Sequence, residues 1–288
     1  MLGLAHLVVN VLRTLAAFAV RVRIFVENSV AQIIHANCLT WLRASVERFR
    51  LIFGDPPDNI GLNYRGYHDS NPDYYSFLRE WIDLSFQKCD IFAISYYHKH
   101  DLVVSRLISD AMTSIWSERC LWRKIIWRFT FGSYVHEGLT SGYRPIMVVW
   151  KHGITFDYDA IRVPSVRMEI GDSRAAGPRI PDDVWDFPRV VGNAAERRTW
   201  HPTQHPELLM QRLLKMCGPY PTGIDSHLKS GETHASHVLD CFSGTGTTCR
   251  VAQSLGIECI GLEIDAEYVR QSQEDLKNSY AQAMQRLK

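Results

Sequence analysis

Asp240-Cys241-Phe242-Ser243-Gly244-Thr245-Gly246-Thr247-Thr248 is the stretch on which the fold reading turns. The run before it, His237-Val238-Leu239-Asp240, is short and apolar and predicts a strand. The residues after it predict a helix to Leu255, followed by Gly256, a second strand over 258–263 and a last helix from Ala266. Glycines between a strand and a helix let the backbone pass close to a ligand, and the helix start offers N–H groups with no intrahelical partner. Glu263 ends the second strand 23 positions after Asp240. That is the offset at which an acidic side chain reaches ribose hydroxyls in nucleotide-type folds. Together these features predict an adenosine-containing ligand; the alternative is a tight structural turn. A phosphate-cradling loop would need Gly-Lys-Ser/Thr, and a dinucleotide turn would need a third glycine where Cys249 stands. S-adenosylmethionine, which has no phosphates, fits better.

Working outward, strand and helix patterns alternate along most of the chain. Apolar runs at 32–35, 50–53, 91–95, 124–130 and 146–150 predict strands. Helical patterns at 40–48, 73–87, 102–115 and 206–217 separate them. Alternation of this kind predicts an α/β class: a doubly wound, mostly parallel sheet covered on both faces, Rossmann-like. The α/β domain spans 30–288 in this reading, with 1–29 as an apolar extension or helix. Leu2 to Val20 is nearly all apolar, but Arg13 interrupts it and Arg21 and Arg23 follow. A secretory signal wants its positive charge ahead of the apolar run, and a charge in mid-span is expensive in a membrane. No membrane partner is expected. Residues 151–200 are rich in Gly, Pro and charge and predict a loop-rich surface insertion. Its arginines either read a target or pair with neighbouring carboxylates.

The chain holds 32 basic and 31 acidic residues, a net charge of +1, so affinity for nucleic acid must come from local clusters. Seven cysteines are scattered without a CxxC pair. This fits reduced thiols in a cytosolic protein and no metal site, with His98-Lys99-His100 as surface residues.

Asp55-Pro56-Pro57-Asp58 follows the predicted strand at 50–53, and its prolines force the chain out of the sheet. Alone it is an ordinary turn former. At the end of a parallel strand it also suits amino-group methylation. An exocyclic amino nitrogen is a poor nucleophile because its lone pair is delocalised into the ring. The Asp55 carboxylate and the Pro56 carbonyl would accept its two N–H bonds and draw it toward tetrahedral geometry, with Pro57 stiffening the turn. A cytosine-C5 mechanism needs a nucleophilic cysteine, usually after proline, and no cysteine here follows proline.

Four segments resemble, in order, the motifs of the N4/N6 amino-methylating DNA methyltransferases in their permuted beta arrangement. They are Asp55-Pro56-Pro57, Trp200-His201-Pro202-Thr203-Gln204-His205-Pro206-Glu207, Asp240 to Thr248, and Gly261-Leu262-Glu263-Ile264-Asp265-Ala266-Glu267-Tyr268. The resemblance covers about residues 30–275. It implies methyl transfer from S-adenosylmethionine to adenine N6, with cytosine N4 or a catalytically weak relative as alternatives. Duplex DNA with the target base flipped out is the implied partner, and a homodimer is implied by resemblance alone. The implied setting is bacterial or phage modification, in the cytoplasm. Phe242, Gly244 and Gly246 would line the methionine and ribose, Glu263 would bind the ribose hydroxyls, and Thr203 and Gln204 would contact the amino-acid end. Asp240, Thr247 and Asp265 complete the implied cofactor set. The stretch 151–200 falls where such enzymes keep target-recognition elements.

Four departures stand out. Asp58 replaces an aromatic that stacks on the flipped base, and Tyr64 or Tyr67 would have to supply the ring. Ala36-Asn37 replaces Gly-Asp, leaving an amide for the base edge. His205 replaces Lys, and Cys241 replaces Pro.

Overall fold

The computed structural model describes residues 30–116, 120–129, 136–218 and 237–286, with side chains as far as 279. The apolar extension expected at 1–29 lies outside the described residues. Among those described, no helix is long and apolar enough to cross a membrane.

In chain order the elements are β1 (Ala31–His35), α1 (Cys38–Ala44), β2 (Phe49–Gly54), β3 (Asn63–Tyr64), β4 (Tyr67–His68), α2 (Tyr74–Phe86) and β5 (Cys89–Ser95). Then come α3 (Asp101–Ala111), β6 (Cys120–Arg128), β7 (Tyr143–Lys151), α4 (Val166–Glu169), β8 (Val184–Asp186) and α5 (Glu207–Cys217). The last four are β9 (Val238–Asp240), α6 (Thr247–Ser254), β10 (Cys259–Glu263) and α7 (Ala266–Arg286). Eight strands form one sheet in the order β1-β10-β9-β2-β5-β7-β6-β8. The first five run parallel, and β7 is antiparallel to both β5 and β6. The expected doubly wound, mostly parallel α/β sheet is therefore the observed one.

Burial explains the apolar runs. Every residue of β2 and of β5 is buried, as expected for central parallel strands covered on both sides. Leu51, Phe53, Ile91 and Ala93 belong to one core layer with α5 and α6, while Ile52, Phe92 and Ile94 belong to the other with α1, α2 and α3. Gly54 permits a close approach: a Cβ there would sit 2.4 Å from the Trp81 ring.

One expectation needs correction. The stretch 151–200 is irregular, but it is not confined to the surface. Its β8 extends the sheet beside β6, and Ile161, Trp185, Phe187 and Val190 are buried. Periodicity misses them because single apolar side chains spaced by loop residues carry no repeat.

Candidate active site

The parallel strands deliver their carboxyl ends to one edge of the sheet, where such folds place ligands. Register brings Phe53 of β2 opposite Asp240 of β9, and the Cys241 N–H donates to the Phe53 carbonyl at 3.0 Å. The Asp55 turn and the glycine loop are therefore adjacent although 185 positions separate Asp55 from Asp240.

A cavity of about 320 Å³ opens along this edge. Of the residues singled out in the sequence, Asn37, Asp55, Pro57, Tyr64, Tyr67, Thr203, Gln204, Asp240, Phe242, Gly244, Thr247, Glu263 and Asp265 line it; Pro56, Asp58 and Gly246 do not. Gly246 instead closes the loop onto β1. Its φ is 73°, and a Cβ would lie 2.7 Å from Ile33. The Asn37 amide oxygen accepts the Thr40 N–H and caps α1. The Gln204 amide is held between the Arg198 N–H and the Glu196 carbonyl. Asp265 caps α7 by accepting the N–H groups of Glu267 and Tyr268. Thr247 opens α6, with its hydroxyl 2.9 Å from that of Thr245.

Glu263 accepts the Gly244 N–H on one oxygen and the Asp265 N–H on the other, each at 2.9 Å, which fixes the carboxylate at the cavity wall. Burial raises its pKa. Burial also pushes Asp240 up to about 7, against hydrogen bonds from Thr248 and the Phe242 N–H. The Ser243 hydroxyl is buried beside the cavity without a partner among the described residues. A fixed carboxylate at a strand end, an open glycine turn and an unpartnered buried hydroxyl fit an adenosine-type ligand with polar ribose and amino-acid ends.

The surroundings of Asp55 were not legible in the sequence. Arg144, near the start of β7, donates from one terminal nitrogen to Asp55 at 2.6 Å and to Asp58 at 2.8 Å. Its other terminal nitrogen reaches the second Asp58 oxygen at 2.9 Å, and Nε donates to the Ser95 hydroxyl at 2.8 Å. His205 completes the ring, with Nε2 hydrogen-bonded to the Ser95 hydroxyl at 3.1 Å and Nδ1 lying 3.5 Å from Asp55. Burial works against charge on Asp55, but Arg144 and His205 outweigh it and hold the carboxyl below its ordinary range. Burial lowers the His205 pKa, against the pull of Asp55. Replacing the family's Lys by His therefore puts a polar bridge beside Asp55. His100, expected at the surface, is buried: Nε2 donates to the Asp58 carbonyl at 2.7 Å, and Nδ1 accepts from the Tyr75 hydroxyl at 2.9 Å.

Tyr64 and Tyr67 form a small hairpin over the cavity, their ring centres 6.2 Å apart. Tyr64 also packs on His201 at 5.7 Å. Burial is the largest cause that raises its pKa, while a hydrogen bond to Thr203 opposes the shift.

A family model described as DNA methylase, covering N6 and N4 methyltransferases, matches residues 49–274. The chain belongs to this family. It is an S-adenosylmethionine-dependent DNA methyltransferase acting on exocyclic amino groups. It is 29% identical over 259 residues to the DNA adenine methyltransferase YhdJ of Escherichia coli K12, covering 84% of this chain and 81% of that relative. Among solved structures, the complex of M1.HpyAVI with S-adenosylmethionine superposes with a TM-score of 0.55 at 16% identity, over 85% of this chain and 98% of that one. The cytosine-N4-specific PvuII DNA methyltransferase gives 0.55 at 14% identity, over 88% and 94%. Both likenesses concern the fold.

Proposed function

We propose that this methyltransferase modifies the N6 amino group of an adenine flipped out of duplex DNA, with Asp55 and the Pro56 carbonyl as the groups that accept the amino hydrogens. The apposition of the Asp55 turn with the glycine loop carries this reading, because it places a carboxylate beside the cofactor cavity at the carboxyl edge of the sheet. Asp55 is 22% exposed, and Arg144 above all holds its pKa below the ordinary carboxylate range, which favours the charged, stronger acceptor. The bound cofactor supplies an electrophilic methyl group. Withdrawal of the amino hydrogens toward Asp55 and Pro56 raises the electron density available on the nitrogen. Opening the catalytic motif with aspartate favours adenine, in line with the printed activity of YhdJ. Cytosine N4 is the second reading, and the fold shared with the PvuII enzyme is compatible with it.

Phe242, Gly244 and Thr247 are the proposed walls of the cofactor site, and Glu263 the ribose ligand. Asp240, Thr203, Gln204 and Asp265 are the proposed polar contacts, with Gly246 shaping the loop. Tyr64, with Tyr67 over it, is the proposed ring for the flipped base, since both line the cavity and Asp58 does not. Asn37 is the proposed contact to the base edge through its amide nitrogen. Residues 151–200 are the proposed target-reading segment, and a homodimer is the proposed assembly. All seven cysteines are free thiols, which supports a reducing, cytoplasmic setting.

The test is incubation with labelled S-adenosylmethionine and unmethylated duplex DNA, followed by digestion to nucleosides. Labelled N6-methyladenosine is expected, lost in Asp55→Ala and reduced in Tyr64→Ala. N4-methylcytosine would change the base and keep the mechanism. Unchanged turnover in both Tyr64→Ala and Tyr67→Ala would dismiss the stacking assignment.

A further inference from the structure

We propose that Asp58 is a positioning residue. It shares Arg144 with Asp55, so that the guanidinium can stay paired when Asp55 turns its oxygen to the amino group of the base. This rests on the reading of Asp55 given above.

The geometry carries the argument. One terminal nitrogen of Arg144 serves both carboxylates, at 2.6 Å to Asp55 and 2.8 Å to Asp58. The other two nitrogens are anchored elsewhere, Nη1 on the second Asp58 oxygen and Nε on Ser95. Arg144 and Asp58 are largely enclosed, their side chains 16% and 15% exposed. An enclosed guanidinium paired to Asp55 alone would put its full charge on the one carboxylate that must accept hydrogens. Releasing Asp55 would then leave an enclosed cation without a partner, a strongly unfavourable state. With Asp58 in place, the cation keeps a bidentate partner in either arrangement. The position at which the family carries an aromatic ring thus holds a carboxylate with a different task. His100, whose Nε2–H donates to the Asp58 carbonyl, fixes the backbone of that residue.

The charged and titratable groups facing Asp55 are Arg144 from β7, His205 from the segment before α5, and Asp58 from its own turn. Tyr64, His201, Asp240 and Tyr74 feel it from the hairpin, the 201–205 segment, β9 and α2. Arg144 and His205 outweigh burial to lower the Asp55 pKa, so the carboxylate stays charged as pH falls. Asp58→Asn leaves Arg144 to Asp55 and should move the acid limb of the kcat profile to lower pH while lowering kcat at neutral pH by about ten-fold or more. Arg144→Gln removes the cation and should move that limb up by about one pH unit.

The experiment measures kcat against pH on duplex DNA for Asp58→Asn, Arg144→Gln, the double variant and Asp55→Ala. Cofactor affinity by calorimetry and the melting temperature serve as folding controls. Support is a pair of opposite limb shifts with cofactor affinity kept within about two-fold, and a double variant that recovers part of the kcat lost in Asp58→Asn. An Asp58→Asn enzyme with wild-type kcat and wild-type limb, beside an inactive Asp55→Ala, overturns the inference alone. So does loss of kcat in both single variants with no limb shift, which is the mark of a merely structural pair. Wild-type turnover in Asp55→Ala overturns the reading of Asp55 and this inference with it.

Discussion

Single residues set the chemistry of this site through burial rather than through identity alone. Asp240 is 2% exposed, and burial pushes its pKa up to about 7 from 3.8. A raised carboxyl pKa means that the folded chain holds a proton which the unfolded chain releases. Stability then falls as pH rises through that interval and stays lower above it. Asp240→Asn should therefore melt higher than the parent at about pH 8, by at most ~4 kcal/mol, with the gap gone below about pH 4. Thermal melts of the two cofactor-free proteins across that range check it, and an equal gap at both ends would refute the assignment of Asp240 as the cause. The same substitution should weaken cofactor binding, since the residue lines the cavity. Asp55 shows the opposite balance. Burial opposes its charge too, but a cation lies beside it, so the two carboxyls at neighbouring strand ends titrate apart.

At the scale of elements, β8 shows how the irregular stretch 151–200 is tied down. Three residues pair in parallel with β6, and Trp185 inserts into the core at 2% exposure with Nε1 donating to the Asp182 carbonyl. The Arg212 guanidinium covers its ring at 5.4 Å. Trp185→Ala should cost about 3–5 kcal/mol, read as a lower urea midpoint at unchanged slope. A loss below about 1 kcal/mol would mean that β8 is dispensable to the sheet. The strands and helices themselves were legible from apolar periodicity, because β2 and β5 are buried on both faces and α2 and α5 on one. Ends moved where side-chain bonds decided them: the helix expected over 40–48 is α1 at 38–44, started by the Asn37 cap.

For the whole molecule, charge is the quantity that matters to a DNA partner. The net charge is +1, and many arginines of 151–200 are already paired. Arg162 pairs with Asp159, Arg167 and Arg174 with Asp172, Arg179 with Asp182, and Arg198 with Asp275. Within 151–200 those arginines can meet phosphates only by breaking ion pairs. Non-specific duplex binding should be weak, with log K falling against log salt at a slope no steeper than about −4. Fluorescence anisotropy over a salt series measures it, and a slope near −8 would show that the pairs open on DNA. What the sequence determined by itself was the order of the strands and helices outside 55–72 and 151–200, the glycine loop, the acidic strand end at Glu263 and the Asp55 turn. Each of these is written in residues close together, where backbone freedom, apolar spacing and proline sterics act locally. Only the tertiary structure decided which carboxylates share a cation. Arg144 reaches Asp55 and Asp58 because β7 runs antiparallel beside β5, with Ile146 opposite Ser95. A contact set by strand direction and register between residues 86 and 89 positions apart leaves no local pattern in the chain.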